Sequence, residues 1–193
     1  MSTVFFDVDT QLDFLYAAGA LYVPGAESIV AEVAALNQYA AGHGIPVVST
    51  MDAHTENDAE FRAWPPHCVA GTAGQQKPTV TLLEKRTTIP STPQGFEIRD
   101  AQQILLEKQS VDCFTNPNLR ALLDHLESHR CVVYGVVTEI CVKNAAMGLL
   151  KSGRRVTVVT DAVRSLDDAK SAQFLHDFAA AGGKLATAKE IFV

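Results

Sequence analysis

Short apolar runs alternate along this chain with longer stretches in which apolar residues return every three or four positions. Thr3–Val8 (TVFFDV) is aromatic and β-branched and gives way to acidic and polar residues, which marks a short buried strand. From Glu27 to about Ala41, the positions Ile29, Val30, Val33, Leu36, Tyr39 and Ala40 fall at helical spacing, and Gly42 and Gly44 stand where that helix would stop. Ile45–Met51 (IPVVSTM) reads as a second strand. No period is visible from Asp52 to about Gln76, a stretch rich in His, Pro and Gly; long irregular segments of compact domains are commonly functional loops. Within 78–100, TVTLL fits a strand and TTIPSTPQG fits a turn or excursion. The remaining pattern predicts a strand at Gln103–Leu106 and a helix over Asn118–Leu126, with Asn116 as its cap and Pro117 as its first residue. It continues with a strand at Arg130–Val137, a helix over Cys141–Lys151, a strand at Arg155–Val163 and a helix over Asp167–Ala181 closed by Gly182 and Gly183. One last strand and a short terminal element follow in KLATAKEIFV.

Strands alternating with helices imply a three-layer α/β/α fold, a doubly wound, mainly parallel, Rossmann-like sheet of six strands within one domain spanning residues 1–193. Right-handed crossovers bring the loops after the strands to one edge, where such sheets bind ligands. Composition narrows the function. The chain has 22 acidic against 16 basic residues, a net charge of −6, and no Lys/Arg cluster, which speaks against nucleic acid or an anionic membrane surface as partner. No apolar run approaches the ~20 residues that span a bilayer. The opening MSTVFFDVD lacks the basic start of a signal peptide, so a cytoplasmic setting is expected. The four cysteines, Cys68, Cys113, Cys131 and Cys141, form no C-x-x-C pair and are expected as free thiols.

Five polar residues fall at or just after strand ends: Asp9, Asp52, His54, Lys108 and Cys141. Singly, each has an ordinary role: a turn or cap for an aspartate, a small buried apolar group for a cysteine. Together they place carboxylate, ammonium and thiol on one rim. An ammonium and a helix N-terminus both favour thiolate, and a carboxylate can take and return a proton.

Asp9-Thr10-Gln11-Leu12-Asp13-Phe14 resembles the D-x-Q-x-D-F opening of the isochorismatase-like cysteine hydrolases, and Gly135–Val142 resembles their nucleophile segment G-V-x-T-x-x-C-V. Lys108 followed by Phe114 and then by Asn118-Leu119 resembles part of their lysine segment; Thr160–Val163 matches a later strand end. The resemblance extends from Thr3 to about Leu185. It implies Cys141 as nucleophile, Asp9 as general acid/base and Lys108 as electrostatic partner. It also implies a cis peptide at Val136-Val137 that aims the Val137 and Cys141 backbone N–H groups into an oxyanion hole. Phe14, Trp64 and Ile140 would line the substrate pocket, with Tyr16 nearby, and Asp13 would be a structural acceptor. Lys85 shares the LLEK context of Lys108 but lacks the Phe at the matching offset. Cys68 reads as a loop thiol, Cys113 and Cys131 as packing residues, and His43, His125, His129 and His176 as residues of helices or their ends.

Asp52-Ala53-His54 and the His67 of WPPHCVAGTAG form a second group whose O and N donors suit Zn²⁺, with Fe²⁺ or Mn²⁺ as alternatives. They resemble the nicotinamidase (pyrazinamidase) branch, in which an Asp and two His hold one divalent metal, and Glu60 stands where some members add a fourth ligand. That branch implies hydrolysis of nicotinamide, or a similar small aromatic amide, to acid and ammonia through a thioester, a step of NAD salvage. The alternatives are another small amide, a carbamoyl compound or an isochorismate-like ether, and a non-catalytic metal-binding homologue. The partner expected is a small molecule; the family also implies self-association, for which the sequence shows no interface.

Overall fold

The computed structural model describes residues 2–192. Its strands are β1 (Ser2–Val8), β2 (Val47–Asp52), β3 (Arg86–Ile89), β4 (Gln103–Lys108), β5 (Ser128–Val136), β6 (Arg155–Arg164) and β7 (Lys184–Ala186). They form one sheet in the order β3-β4-β2-β1-β5-β6-β7, parallel throughout. The helices are α1 (Leu12–Leu15), α2 (Val30–Gly42), α3 (Leu119–His125), α4 (Lys143–Lys151), α5 (Asp168–Ala180) and α6 (Ala188–Ile191).

Side-chain alternation along β1 explains the three layers. Val4, Phe6 and Val8 pack in one core with Leu122 of α3, Leu149 of α4 and Phe178 of α5. Phe5 packs in a second core with Val33 and Leu36 of α2 and Ala188 of α6. A parallel sheet covered on both faces needs apolar residues on both, and its inner strands therefore read as nearly continuous apolar runs.

From β1 the chain lays down β2, runs out to β3 at the edge, fills the gap with β4, then returns to lay β5 on the other side of β1. Between β1 and β5 the winding reverses, and the loops after those two strands diverge to leave a crevice. Gly135 makes the close approach possible: at φ 117 a Cβ there would stand 2.1 Å from the Val8 carbonyl oxygen.

The sheet has seven strands rather than six. The added strand is β3, in the 78–100 segment, where the start of TTIPSTPQG is strand and not turn. TVTLL is not a strand: Thr79–Thr81 is a single 3₁₀ turn, and the edge position goes instead to the β-branched Arg86–Ile89, paired with β4 from Arg86↔Gln103 to Ile89↔Leu106. The cap of α3 is Asn118 rather than Asn116, and Pro117 precedes the helix, which starts at Leu119; Asn116 instead braces the turn leading in, its Oδ1 accepting from Asn118 N at 2.8 Å. Cys141 does not open α4. It lies in a wide π turn, Thr138–Val142, ahead of the helix.

Candidate active site

Strand register assembles the first cluster. Asp52 at the end of β2 pairs with Lys108 at the end of β4. Asp9 follows β1 in the left-handed region, at φ 50, a conformation aspartate tolerates better than most residues. The Lys108 ammonium lies 2.9 Å from Asp9 Oδ2 and 2.5 Å from Asp52 Oδ1, and all three side chains are buried. Thr50 donates its hydroxyl to Asp9 Oδ1 at 2.7 Å. Asp9 Oδ2 receives no aligned hydrogen bond, so one oxygen of that carboxylate keeps a lone pair open. Cys141 arrives from the turn after β5, across the switch point, and its buried thiol lies within electrostatic reach of Lys108 and Asp9. The Val136-Val137 peptide is cis, as the motif implies.

The electrostatics differ from the simple expectation of a resting thiolate. Burial pushes the Cys141 thiol well above its ordinary pKa; Lys108 pulls it down, but Asp9 and Asp52 push it up again. Burial also raises Asp9, against the pull of Lys108. Lys108 itself is held protonated: burial opposes its charge, but Asp52 and then Asp9 outweigh that and lift its pKa well above the usual lysine range. Asp52 stays ionised because Lys108, then His54 and His67, overcome its burial and hold it far below the usual carboxylate range. One ammonium is thus shared between two carboxylates, and burial together with those carboxylates favours the protonated form of the sulfur.

Asp52 turns its other oxygen to a second cluster. His54 Nε2 and His67 Nε2 lie 3.8 and 3.7 Å from Asp52 Oδ2. Asp52, His54 and His67 each present one ligand atom, all mutually within 4.8 Å, and among the described residues they are the one such group. The separations exceed a hydrogen bond and suit atoms that share an ion at ~2.0–2.2 Å from each. Neighbouring groups orient both rings. His67 Nδ1 is 2.7 Å from the Pro65 carbonyl and His54 Nδ1 is 3.1 Å from Asp58 Oδ2, which leaves each Nε2 lone pair directed to the cluster. Both ring nitrogens of His54 are buried without an aligned hydrogen bond: Asp58 meets Nδ1 as a close charge contact, and Nε2 stands open. These residues therefore fit a divalent metal.

Above both clusters opens a cleft of about 320 Å³, including its mouth. Phe14, Trp64 and Ile140, the three expected pocket residues, all line it, with Asp52, His67, Val137 and Cys141 at its base. Glu60 lines it too, but is not one of the three clustered ligands. Leu21, Val111 and Leu166 complete the apolar wall and carried no sequence signal. Tyr16 is exposed and is not among the lining residues.

Asp13 accepts from Ala20 N and Cys68 N, the structural role expected of it. Lys85 lies at the surface, its side chain 58% exposed and paired with Asp100, so the duplicated LLEK context brings only Lys108 to the site. All four cysteines are free and buried. His129 sits on β5 rather than at a helix end. Sequence reasoning missed three supports: Gln11, Thr50 and Asp58. Gln11 lay inside the opening motif, and Asp58 is four residues after His54, a spacing that could have suggested it.

The fold and these clusters define a three-layer α/β protein with a carboxylate, an ammonium and a thiol gathered at the switch point of its sheet. The chain belongs to the isochorismatase domain family, whose model matches residues 3–190. Within that family its likeness is to the nicotinamidase and pyrazinamidase branch. It is 28% identical to the nicotinamidase of Escherichia coli (strain K12), with 93% of this chain and 92% of that protein covered. The crystal structure of a pyrazinamidase of Pyrococcus horikoshii in complex with zinc superposes with a TM-score of 0.83 at 27% identity, over 97% of this chain and 99% of that one. An N-carbamoylsarcosine amidase from Thermoplasma acidophilum superposes at 0.78 with 25% identity, over 97% of each chain. Among the described residues no helix is long and apolar enough to cross a membrane.

Proposed function

We propose that this protein is a cysteine amidohydrolase that converts nicotinamide, or a neutral aromatic amide of similar size, to the acid and ammonia. The observation that carries the reading is the shared Lys108 ammonium: it binds Asp9 on one side and, on the other, Asp52, which lines a small aromatic-walled cleft together with Cys141.

In this reading the Cys141 sulfur bonds to the amide carbon as its proton passes to Asp9. The backbone N–H groups of Val137 and Cys141 hold the developing oxyanion, a contribution of ~3 kcal/mol per donor in comparable sites. Asp9 gives the proton to the departing nitrogen, the C–N bond breaks and ammonia leaves. Asp9 then takes a proton from water as its oxygen bonds to the thioester carbon. The C–S bond breaks, the proton returns to sulfur and the acid is released. Lys108 orients Asp9 throughout and keeps its charge compensated. A divalent ion, zinc by the donor set, would be held by Asp52, His54 and His67, and when bound it supplies a Lewis-acidic anchor for a ring nitrogen. Phe14 and Trp64 supply the flat walls that an aromatic ring packs against.

Charge supports a neutral substrate. Among the described residues lining the cleft there is no Lys or Arg, while Asp52 and Glu60 are both present. A carboxylate-bearing carbamoyl compound or an isochorismate-like diacid would meet no Lys or Arg on the cleft wall, while the charge of Lys108 is already shared with Asp9 and Asp52. The test is ammonia release from nicotinamide, with and without chelator, by the parent protein and by Cys141→Ala. Turnover that falls at least about a thousandfold in a folded Cys141→Ala variant is expected. Appreciable turnover by that variant overturns the mechanism, and a parent inactive on nicotinamide but active on a carbamoyl substrate overturns the substrate.

A further inference from the structure

Two residues before Asp9, a second buried ion pair takes no part in that chemistry. Asp7 and Lys77 lie inside the protein, with Lys77 Nζ 3.3 Å from Asp7 Oδ1. Each acceptor on Asp7 is used: Oδ1 also takes the Thr10 hydroxyl at 2.6 Å, and Oδ2 takes the Ser49 hydroxyl at 2.9 Å and Asn37 Nδ2 at 3.5 Å. Lys77 donates back to Thr10 Oγ1 at 3.0 Å. Thr10, between Asp9 and Gln11 in sequence, is therefore gripped from both sides by opposite charges.

Burying two ions costs several kcal/mol each, and well-packed apolar residues of similar volume commonly do as well for stability or better. What such a pair adds is a fixed register, and here that register joins two functional segments. Residues 67–77 begin at His67 and are tied to residues 10–13 along their length. Cys68 N donates to Asp13 Oδ2 at 2.7 Å, Asp13 N to Gly74 O at 3.1 Å, Leu12 N to Gln76 O at 2.8 Å and Gln11 Nε2 to Gln75 O at 2.8 Å. Lys77 is the last of these ties in sequence and the one that pairs two opposite charges.

We infer that Asp7 and Lys77 are a positioning pair: by clamping Thr10 they set where Asp9 stands relative to Cys141 and to the segment that begins at His67. The inference rests on the role proposed above for Asp9. Lys77→Met alone leaves the Asp7 charge buried and unpaired, so the informative variant is Asp7→Asn with Lys77→Met, which preserves net charge. Thr10→Val, nearly isosteric, keeps both ions and removes only the hydroxyl between them.

For the double variant we expect a thermal midpoint within about 5 °C of the parent. We expect kcat on the amide the parent hydrolyses to fall about tenfold or more, with KM within about threefold, because misplacing a reacting group by ~1 Å costs up to ~100-fold in rate. Thr10→Val is expected to show the same split, and it decides the matter if the double variant does not fold. A second readout needs no substrate: alkylation of Cys141 by iodoacetamide, located by peptide mass spectrometry, is expected to change about fivefold or more in either direction as Asp9 moves. Folded variants with parental kcat and parental alkylation rate would reduce the pair to a stability element. A parent that releases no ammonia from nicotinamide defeats the functional reading, and the alkylation comparison still decides this one.

Discussion

Gln11 grips Asp52 with both ends of its amide: Nε2 donates to the Asp52 carbonyl at 2.9 Å, and the Asp52 N–H donates to Oε1 at 2.7 Å. The end of β1 is thereby tied to the end of β2 at the residue that serves both the ammonium and the proposed metal. Gln11→Ala strands a buried N–H and a buried C=O, and we expect it to lower stability by about 2–4 kcal/mol in urea denaturation. A loss below about 1 kcal/mol would mean that water replaces the amide there.

Asp58 meets no substrate but holds His54 Nδ1 at 3.1 Å. Such carboxylate–histidine contacts fix the ring and raise its basicity as a ligand, and removing them costs roughly 10- to 100-fold in metal affinity. Asp58→Asn should weaken Zn²⁺ binding by about that factor in competition with a chelating dye. Unchanged affinity would show that the ring is held well enough by its packing against Phe61.

The pH profile follows from Asp9 and Cys141. Burial raises Asp9 above the ordinary aspartate value, with Lys108 opposing and Asp52 adding to the rise. Only the carboxylate form can accept the thiol proton, so kcat/KM is expected to fall as pH drops through that raised value. The acidic limb then lies above the usual aspartate range. Burial keeps Cys141 as a thiol past its own ordinary range, so no gain is expected between about pH 8 and 9, where a free thiol ionises. Rate measurements across the full range would reveal a step there if a bulk-ionised thiolate were the nucleophile.

Glu139, two residues before Cys141, accepts from Leu166 N at 3.0 Å and Asp167 N at 2.9 Å through one oxygen. It thus fixes the loop that sets Leu166 in the cleft wall. Glu139→Ala should raise KM several-fold with kcat changed less, since the wall binds substrate and transition state alike. Glu139→Gln keeps an acceptor oxygen and should restore KM. If both variants behave alike, the loop does not depend on these bonds.

Much of this was legible in the sequence where a residue's own neighbours specify its role. The β1 run, the Gln103–Leu106 core of β4 and the helix over Asp167–Ala181 follow from period alone, because both layers of helices demand apolar residues on schedule. The G-V-x-T-x-x-C-V segment located Cys141, and Gly135 is explained by its contact with Val8. The edge strand β3 was not legible: its exposed positions relax the alternation that marks a strand, and the neighbouring TVTLL copies the pattern without having a partner. Lys77 was equally silent. A buried lysine is readable only through its counter-ion, and Asp7 lies 70 positions away in sequence, so nothing local announces the pair. The charge of the Cys141 sulfur is not legible either: a nearby ammonium favours thiolate, while burial and two carboxylates from distant parts of the chain favour the thiol.

The lack of a basic side chain around the cleft bears on the end of the cycle as well as its start. A neutral guest becomes an anion beside Asp52 and Glu60, where positive charge comes from Lys108, already shared between two carboxylates, and from the ion that Asp52, His54 and His67 would hold. Retention of the nascent acid then rests on that ion more than on the wall, so inhibition by accumulated end product should weaken when the metal is stripped.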